Sequence, residues 1–192
     1  MRYFKKIVGS RCYLSPVNPD DAEKYAEMLA DLEVARNLVI APQIISLPAE
    51  REFVERACKT GYIFAIVDLE SDTLIGNCGL DNVDLINRSS ECGIFIGNKQ
   101  FWNKGYGTEA MCLLLDYAFS LLNLQSVMLQ VYDFNARAIR SYEKCGFKEI
   151  GRRRKAKIIA GAAHDVIFMD ILASEFTHGR IRVPIELQKD TR

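Results

Sequence analysis

Histidine is scarce in this 192-residue chain: only His164 and His178 occur. The six cysteines, Cys12, Cys58, Cys78, Cys92, Cys112 and Cys145, include no pair two residues apart, and neither histidine completes a zinc-like cluster. No metal is therefore expected, and the cysteines read as reduced thiols of a cytoplasmic protein. Gly-x-Ser-x-Gly is absent, which removes the nucleophile elbow of a serine hydrolase. Gly-x-x-x-x-Gly-Lys-Ser/Thr is absent too, which removes the P-loop. Charge of one sign is not in excess, since 25 Lys and Arg balance 25 Asp and Glu. Bulk electrostatics thus argue for neither nucleic acid nor an anionic membrane as main partner. The longest apolar segment, around Met111 to Leu122, is broken by Asp116 and Ser120, so no membrane span is expected. The basic start, Met1 to Gly9, lacks the apolar run and cleavage site of a signal peptide.

What is present suits one soluble domain, with 49% hydrophobic and 26% charged residues. Arg11 to Val17 reads as a strand closed by Pro16. Asn18-Pro19-Asp20-Asp21 then starts a helix to about Asp31. A proline-punctuated apolar loop follows, then a helix over about Ala49 to Lys59 that Gly61 ends. Three β-type segments, Tyr62 to Asp68, Thr73 to Asp84 and Ser90 to Gly97, are separated by turns rich in Ser, Asp and Asn. A helix apolar nearly all round covers Tyr106 to Leu122, and Ser126 to Tyr132 is the next strand. Asn135 caps a helix that Gly146 stops, and Phe147 to Ile150 and Asp165 to Leu172 are the last strands. Residues 1–172 form the domain, with a mixed α/β sheet and about four helices; residues 173–192 read as a polar tail.

The most informative stretch is Trp102-Asn103-Lys104-Gly105-Tyr106-Gly107-Thr108-Glu109-Ala110. Glycines at a helix start let a ligand approach backbone N–H groups that carry partial positive charge, and Lys104 adds a full one. That combination is an anion cradle, suited to phosphate. Gly105-x-Gly107-x-x-Ala110 also fits a relaxed dinucleotide fingerprint, with Asp133 placed as a ribose-binding acid. Against that, Asn98 to Lys104 is polar and aromatic where the fingerprint wants an apolar strand, and further βαβ units are lacking.

With a second motif, Asn135-x-x-Ala138-Ile139-x-x-Tyr142-x-x-x-Gly146-Phe147, the loop resembles the GNAT superfamily of acetyl-CoA-dependent N-acetyltransferases. The branch it resembles contains the ribosomal-protein N-terminal and spermidine acetyltransferases, and the element order from Arg11 to Leu172 is similar throughout. The resemblance implies a single domain with a mostly antiparallel, splayed sheet and acetyl-CoA as co-substrate. It implies that backbone N–H groups of Lys104, Gly105, Tyr106, Gly107 and Thr108 hold the pyrophosphate. Phe95, Ile96 and Gly97 would pair with pantetheine, Asn135 would meet its arm, and Tyr142 would sit beside the departing sulfur. Trp102 departs from the Gln or Arg common in the family, and Asn103 replaces a common glycine, although Asn tolerates positive φ.

In this resemblance Tyr142 is the acid, a backbone N–H near Ile96 meets the oxyanion, and Glu91 draws a proton through water. A lysine-like amine of pKa about 10.4 costs about 4.6 kcal/mol to neutralise at pH 7, an α-amine of about 7.8 only about 1 kcal/mol. A weakly equipped base therefore favours a peptide N-terminus as acceptor. Polyamines and aminoglycosides remain open alternatives, as does a coenzyme A-binding sensor without turnover. Acceptor recognition falls to the apolar loop from Arg36 to Leu47, through Leu38, Ile40 and Ile44. Arg152-Arg153-Arg154-Lys155-x-Lys157 reads as a solvated basic face, and a homodimer is plausible by family resemblance.

Overall fold

Alternation of apolar residues decides the layering of this protein, whose computed structural model describes residues 3–38 and 43–179. In strand β2 (Cys12–Pro16), Cys12 and Leu14 point to one side and Tyr13 to the other. In β3 (Ile63–Asp68), Phe64 and Ile66 share the first side, Ala65 and Val67 the second. Both faces are therefore apolar, and each is covered by helices. Helices α1 (Ala22–Ala30) and α3 (Leu47–Thr60) pack Tyr25, Val54 and Ala57 on one face. On the other face α4 (Tyr106–Asp116) and α5 (Ala136–Cys145) bury Met111, Leu114 and Cys145.

The remaining elements are β1 (Ile7–Val8), the one-turn helix α2 (Leu32–Ala35), β4 (Leu74–Asp84), β5 (Ser89–Ile96), β6 (Ser126–Tyr132), β7 (Lys148–Ile159) and β8 (Ala162–Leu172). A π-helical turn, Tyr117–Leu121, continues α4. The eight strands form one sheet in the order β1-β2-β3-β4-β5-β6-β8-β7. All neighbours are antiparallel except β5 and β6.

That parallel pair positions the site. It joins Ser89 to Ser126, Ser90 to Val127 and Glu91 to Met128, and there the pairing stops, although β5 continues to Ile96 and β6 to Tyr132. The strands splay, opening a wedge whose vertex is at Glu91. Because β5 stays paired with β4 up to Ile96, alternate residues turn their backbone groups to β4 and to the wedge. The Gly97 N–H donates to Ile75 O at 2.8 Å, so Ile96 and Ile94 are the residues facing the wedge.

The four expected helices are present, and α2 adds a turn. Helix α3 begins at Leu47 instead of Ala49, because Pro48 is accommodated in a first turn capped by Ser46 Oγ on Ala49 N–H at 3.4 Å. The larger correction concerns Phe147 to Ile150: β7 runs on to Ile159, so the basic run lies inside an edge strand. A tight turn at Ala160 (φ 50°) and Gly161 (φ 80°) returns it as β8. Within the segment read as tail, Ala173 N–H bonds Gln125 O at 2.9 Å and the Phe176 ring lies 5.5 Å from Phe119. Residues 180–192 lie outside the described residues.

Candidate functional site

The β5–β6 wedge opens into a cleft of about 450 Å³, walled by both strands, the loop before α4 and one face of α5. Its floor is the start of α4. Gly105 takes the N-cap position at φ 86°, a conformation that favours glycine, and Asn103 just before it stands at φ 57°. No side chain caps this helix, and its first backbone bond runs from Glu109 N–H to Gly105 O at 3.0 Å. The N–H groups of Tyr106, Gly107 and Thr108 thus have no acceptor within the helix. At Gly107 a Cβ would stand 3.9 Å from both Ile96 Cγ1 and Ser141 Oγ, filling space in the cleft.

Long-range bonds fix this floor. Glu109 accepts the N–H groups of Ser10 at 2.6 Å, Arg11 at 2.7 Å and Cys12 at 3.3 Å. Burial raises the Glu109 carboxyl, but those donors outweigh it and hold the group below its usual value. The hook places the Arg11 guanidinium beside Gly105, its Nε 3.3 Å from where a Cβ would be. Tyr106 OH donates to Asp68 Oδ1 at 2.7 Å, which with burial pushes the phenol up to about 12. The Tyr106 hydroxyl is thereby committed to the sheet. Thr108 Oγ1 and Ser141 Oγ are 2.8 Å apart, tying α4 to α5.

Of the residues expected from the sequence, Glu91, Phe95, Ile96, Gly105, Tyr106, Gly107, Thr108, Asn135, Tyr142 and Leu38 line the cleft together. Gly97, Lys104 and Ile44 do not. Gly97 is buried beneath α1, where a Cβ would collide with Met28, so its glycine serves packing. Lys104 is exposed, and Ile44 is fully exposed. Ile40 lies outside the described residues. The basic wall comes instead from Arg137, Arg140 and Lys144, spaced to share one face of α5. Asn135 is the N-cap of α5, accepting Ala138 N–H at 3.2 Å while facing the cleft.

Trp102 is the residue whose role the sequence hid. Its indole Nε1 donates to Ile96 O at 2.7 Å, and Arg137 stacks on its ring at 3.6 Å. It therefore ties the end of β5 to α5 and occupies a carbonyl on the wedge. The N–H of Ile96 remains on that edge.

The inner end is acidic. Asp81 and Glu91 are directly opposed on β4 and β5 and both line the cleft. Burial, reinforced by the Glu91 charge, pushes the Asp81 carboxyl above its usual range. Asn82 Nδ2 reaches Glu91 Oε1 at 3.4 Å. Tyr142 is buried, packed edge-on to Phe147 at 5.9 Å, with no hydrogen-bond partner for its hydroxyl among the described residues. Burial first, then the nearby Cys92 and Cys145, holds that phenol far above its ordinary value. The arrangement offers anion donors at one end, carboxylates at the other and a protonated hydroxyl between them. Among the described residues no three His, Cys, Asp or Glu side chains converge on a metal position, and no helix is long and apolar enough to cross a membrane.

Comparison with known proteins agrees with this geometry. The family model of the acetyltransferase (GNAT) domain matches residues 11–148. The chain is 35% identical to the spermidine N(1)-acetyltransferase of Vibrio cholerae, over 59% of this chain and 64% of that protein. It is 29% identical to a Bacillus subtilis protein whose name assigns it to the ribosomal N-acetyltransferases, over 83% and 90% of the two chains. The structure of spermidine N-acetyltransferase from Vibrio cholerae with CoA and spermine superposes with a TM-score of 0.78 at 27% identity, covering 87% of this chain and 98% of that one. A GNAT-family acetyltransferase from Bacillus anthracis shares the fold at a TM-score of 0.77 and 22% identity, over 88% and 99% of the chains.

Proposed function

The chain belongs to the GNAT acetyltransferase family and is an N-acetyltransferase that uses acetyl-CoA; from that premise we propose that its acceptor is the α-amine of a peptide. The observation that carries this reading is the sparseness of carboxylates. Among the described residues, Asp81 and Glu91 are the acids on the cleft wall, and the loop side contributes Val34, Asn37 and Leu38. Residues 39–42 are Val, Ile, Ala and Pro, so the sequence puts no acid there either. One acidic pair suits one ammonium. A polyamine carries further charges along its length that this wall leaves without partners.

The cradle fits the cofactor: unpaired N–H groups at Tyr106 to Thr108, with Arg137, Arg140 and Lys144 alongside, match a pyrophosphate. Bound acetyl-CoA supplies an activated acyl thioester. The free edge of β5 at Ile94 and Ile96 would pair with the pantetheine arm, and Ile96 N–H would meet the thioester carbonyl oxygen. Glu91, with Asp81, draws in the acceptor ammonium and accepts its proton through water. For an α-amine that deprotonation costs about 1 kcal/mol at pH 7, within reach of an ordinary carboxylate and solvent. Burial keeps the Tyr142 hydroxyl protonated, so Tyr142 would donate a hydrogen bond to the leaving sulfur, and the proton that the acceptor nitrogen sheds as the amide forms would pass through water to that sulfur. No acyl-enzyme is required, and Cys145 is buried against Cys112 and the Thr108 carbonyl.

Free-thiol release from acetyl-CoA tests the reading, with tripeptides, spermidine, an aminoglycoside and free amino acids as acceptors. Peptides should give the highest kcat/KM. Faster release with spermidine would make this a polyamine enzyme, and tight acetyl-CoA binding without release to any amine would favour a sensor.

A further inference from the structure

The backbone of Arg11 is held on both sides. Its N–H donates to Glu109 Oε2 at 2.7 Å, and its carbonyl accepts Leu69 N–H at 2.9 Å. Gly9 N–H closes the turn on Cys12 O at 2.9 Å. Glu109 stands in the first turn of α4, so these bonds fix the β1–β2 turn against the start of that helix. The Arg11 side chain then lies over the N-cap: a Cβ on Gly105 would stand 3.3 Å from Arg11 Nε and 3.9 Å from its Cδ. Gly105 lines the cleft and Arg11 does not, so the guanidinium borders the phosphate cradle from outside the wedge.

A cation is poorly placed there without an anion. The start of a helix carries partial positive charge, a field worth about 0.3 to 1 kcal/mol to a nearby charge, and it favours anions. The Glu109 carboxylate, which could offset it, is engaged by the N–H groups of Ser10, Arg11 and Cys12. The Arg11 guanidinium is exposed and makes no hydrogen bond or ion pair among the described residues. Lys104, next to the N-cap, is a second exposed cation. Two cations therefore flank a helix start that already attracts negative charge.

We propose that Arg11 binds the 3′-phosphate of coenzyme A. The proposal rests on the pyrophosphate lying at the start of α4. In coenzyme A the 3′-phosphate is one ribose beyond the pyrophosphate, on the side away from pantetheine. With pantetheine running into the wedge, the ribose leaves the cradle on its outer side, where Arg11 stands. A guanidinium offers one phosphate two parallel N–H donors. Arg11 thus lets the enzyme distinguish coenzyme A from its 3′-dephospho form.

Isothermal titration calorimetry with coenzyme A and with 3′-dephospho-coenzyme A tests this on the wild type, Arg11→Gln and Lys104→Gln. Melting curves of the free proteins check folding; Arg11→Gln keeps both backbone bonds of residue 11, so its Tm should hold. The wild type should bind coenzyme A about tenfold more tightly than the dephospho form, a difference of about 1.4 kcal/mol. In Arg11→Gln coenzyme A should weaken about tenfold while the dephospho form stays within twofold, which abolishes the preference. Lys104→Gln should keep most of it. Equal wild-type affinities, a measurement that needs no variant, would overturn the assignment of Arg11 alone. Equal weakening of both ligands in Arg11→Gln would put the guanidinium on the pyrophosphate, and an equal loss of preference in Lys104→Gln would reduce it to a diffuse field; either result overturns the assignment. Failure of the wild type to bind either ligand would bring down the pyrophosphate site itself, and the role of Arg11 with it.

Discussion

Gly107→Ala separates binding from folding more cleanly than any other change in the cleft. The added Cβ meets nothing closer than 3.9 Å, at Ile96 Cγ1 and Ser141 Oγ, so the protein can accommodate it without strain. In the first turn of α4 the exchange is neutral to favourable for the helix, by up to about 1 kcal/mol. The methyl nevertheless stands where a phosphate must approach the N–H groups of Tyr106 to Thr108. Displacing the anion from one or two charge-assisted bonds, at about 1.5 to 3 kcal/mol each, should weaken binding at least about tenfold. Isothermal titration calorimetry with coenzyme A, alongside a melting curve of the free protein, reads both quantities. The expected pattern is an unchanged or slightly raised Tm with an affinity lowered about 10- to 100-fold. Undiminished affinity would remove the start of α4 from the phosphate site.

Three further predictions follow the same logic. Trp102→Phe keeps a ring for Arg137 but loses the donor to Ile96 O; steady-state kinetics should show kcat down about tenfold, with KM for acetyl-CoA changed less than threefold. Tyr142→Phe removes only a hydroxyl, so turnover should fall about 100-fold, the effect of losing one aimed donor, and acetyl-CoA affinity by calorimetry should stay within a few-fold; full turnover would strip Tyr142 of its role. Glu109→Gln loses the charge that holds three backbone donors, and about 2 kcal/mol should appear as a Tm lowered by about 4 to 8 °C. Because the folded Glu109 carboxyl is held below its ordinary value, its stabilisation is complete above the usual carboxylate range and fades as pH falls through the lowered one. The gap between the two melting curves should therefore close in strong acid.

Most of the fold was legible because local signals and pairing agree. Ser126 to Tyr132 buries every second residue, Val127, Leu129 and Val131, and it is β6 from end to end. Asn135 and Gly146 bound α5 as their cap chemistry requires. The elements that escaped notice are those without a period to read: β1 has two residues and α2 has four. The Arg152 to Lys155 part of the basic run looks like a solvated stretch because it is one, yet β8 supplies a backbone partner to the strand and the edge leaves those side chains in water.

The site divides similarly. Gly105, Gly107, Asn135 and Tyr142 act through backbone conformation or helix position, which sequence spacing conveys. Trp102 acts through a carbonyl on β5 and a guanidinium on α5, and no local pattern announces such partners. Arg137, Arg140 and Lys144 did carry a signal, a basic stripe on one helical face. Lys104 stood out for its charge, but it is exposed and does not line the cleft.

A crystal structure with coenzyme A tests the central claim most directly, that the β5–β6 wedge is where the acyl donor meets the amine. The account predicts pyrophosphate oxygens on the N–H groups of Tyr106 to Thr108, pantetheine along Ile94 and Ile96, and the sulfur beside Tyr142 OH with Glu91 at the vertex. A coenzyme lying elsewhere, for instance along the basic edge of β7 with the wedge empty, would contradict it.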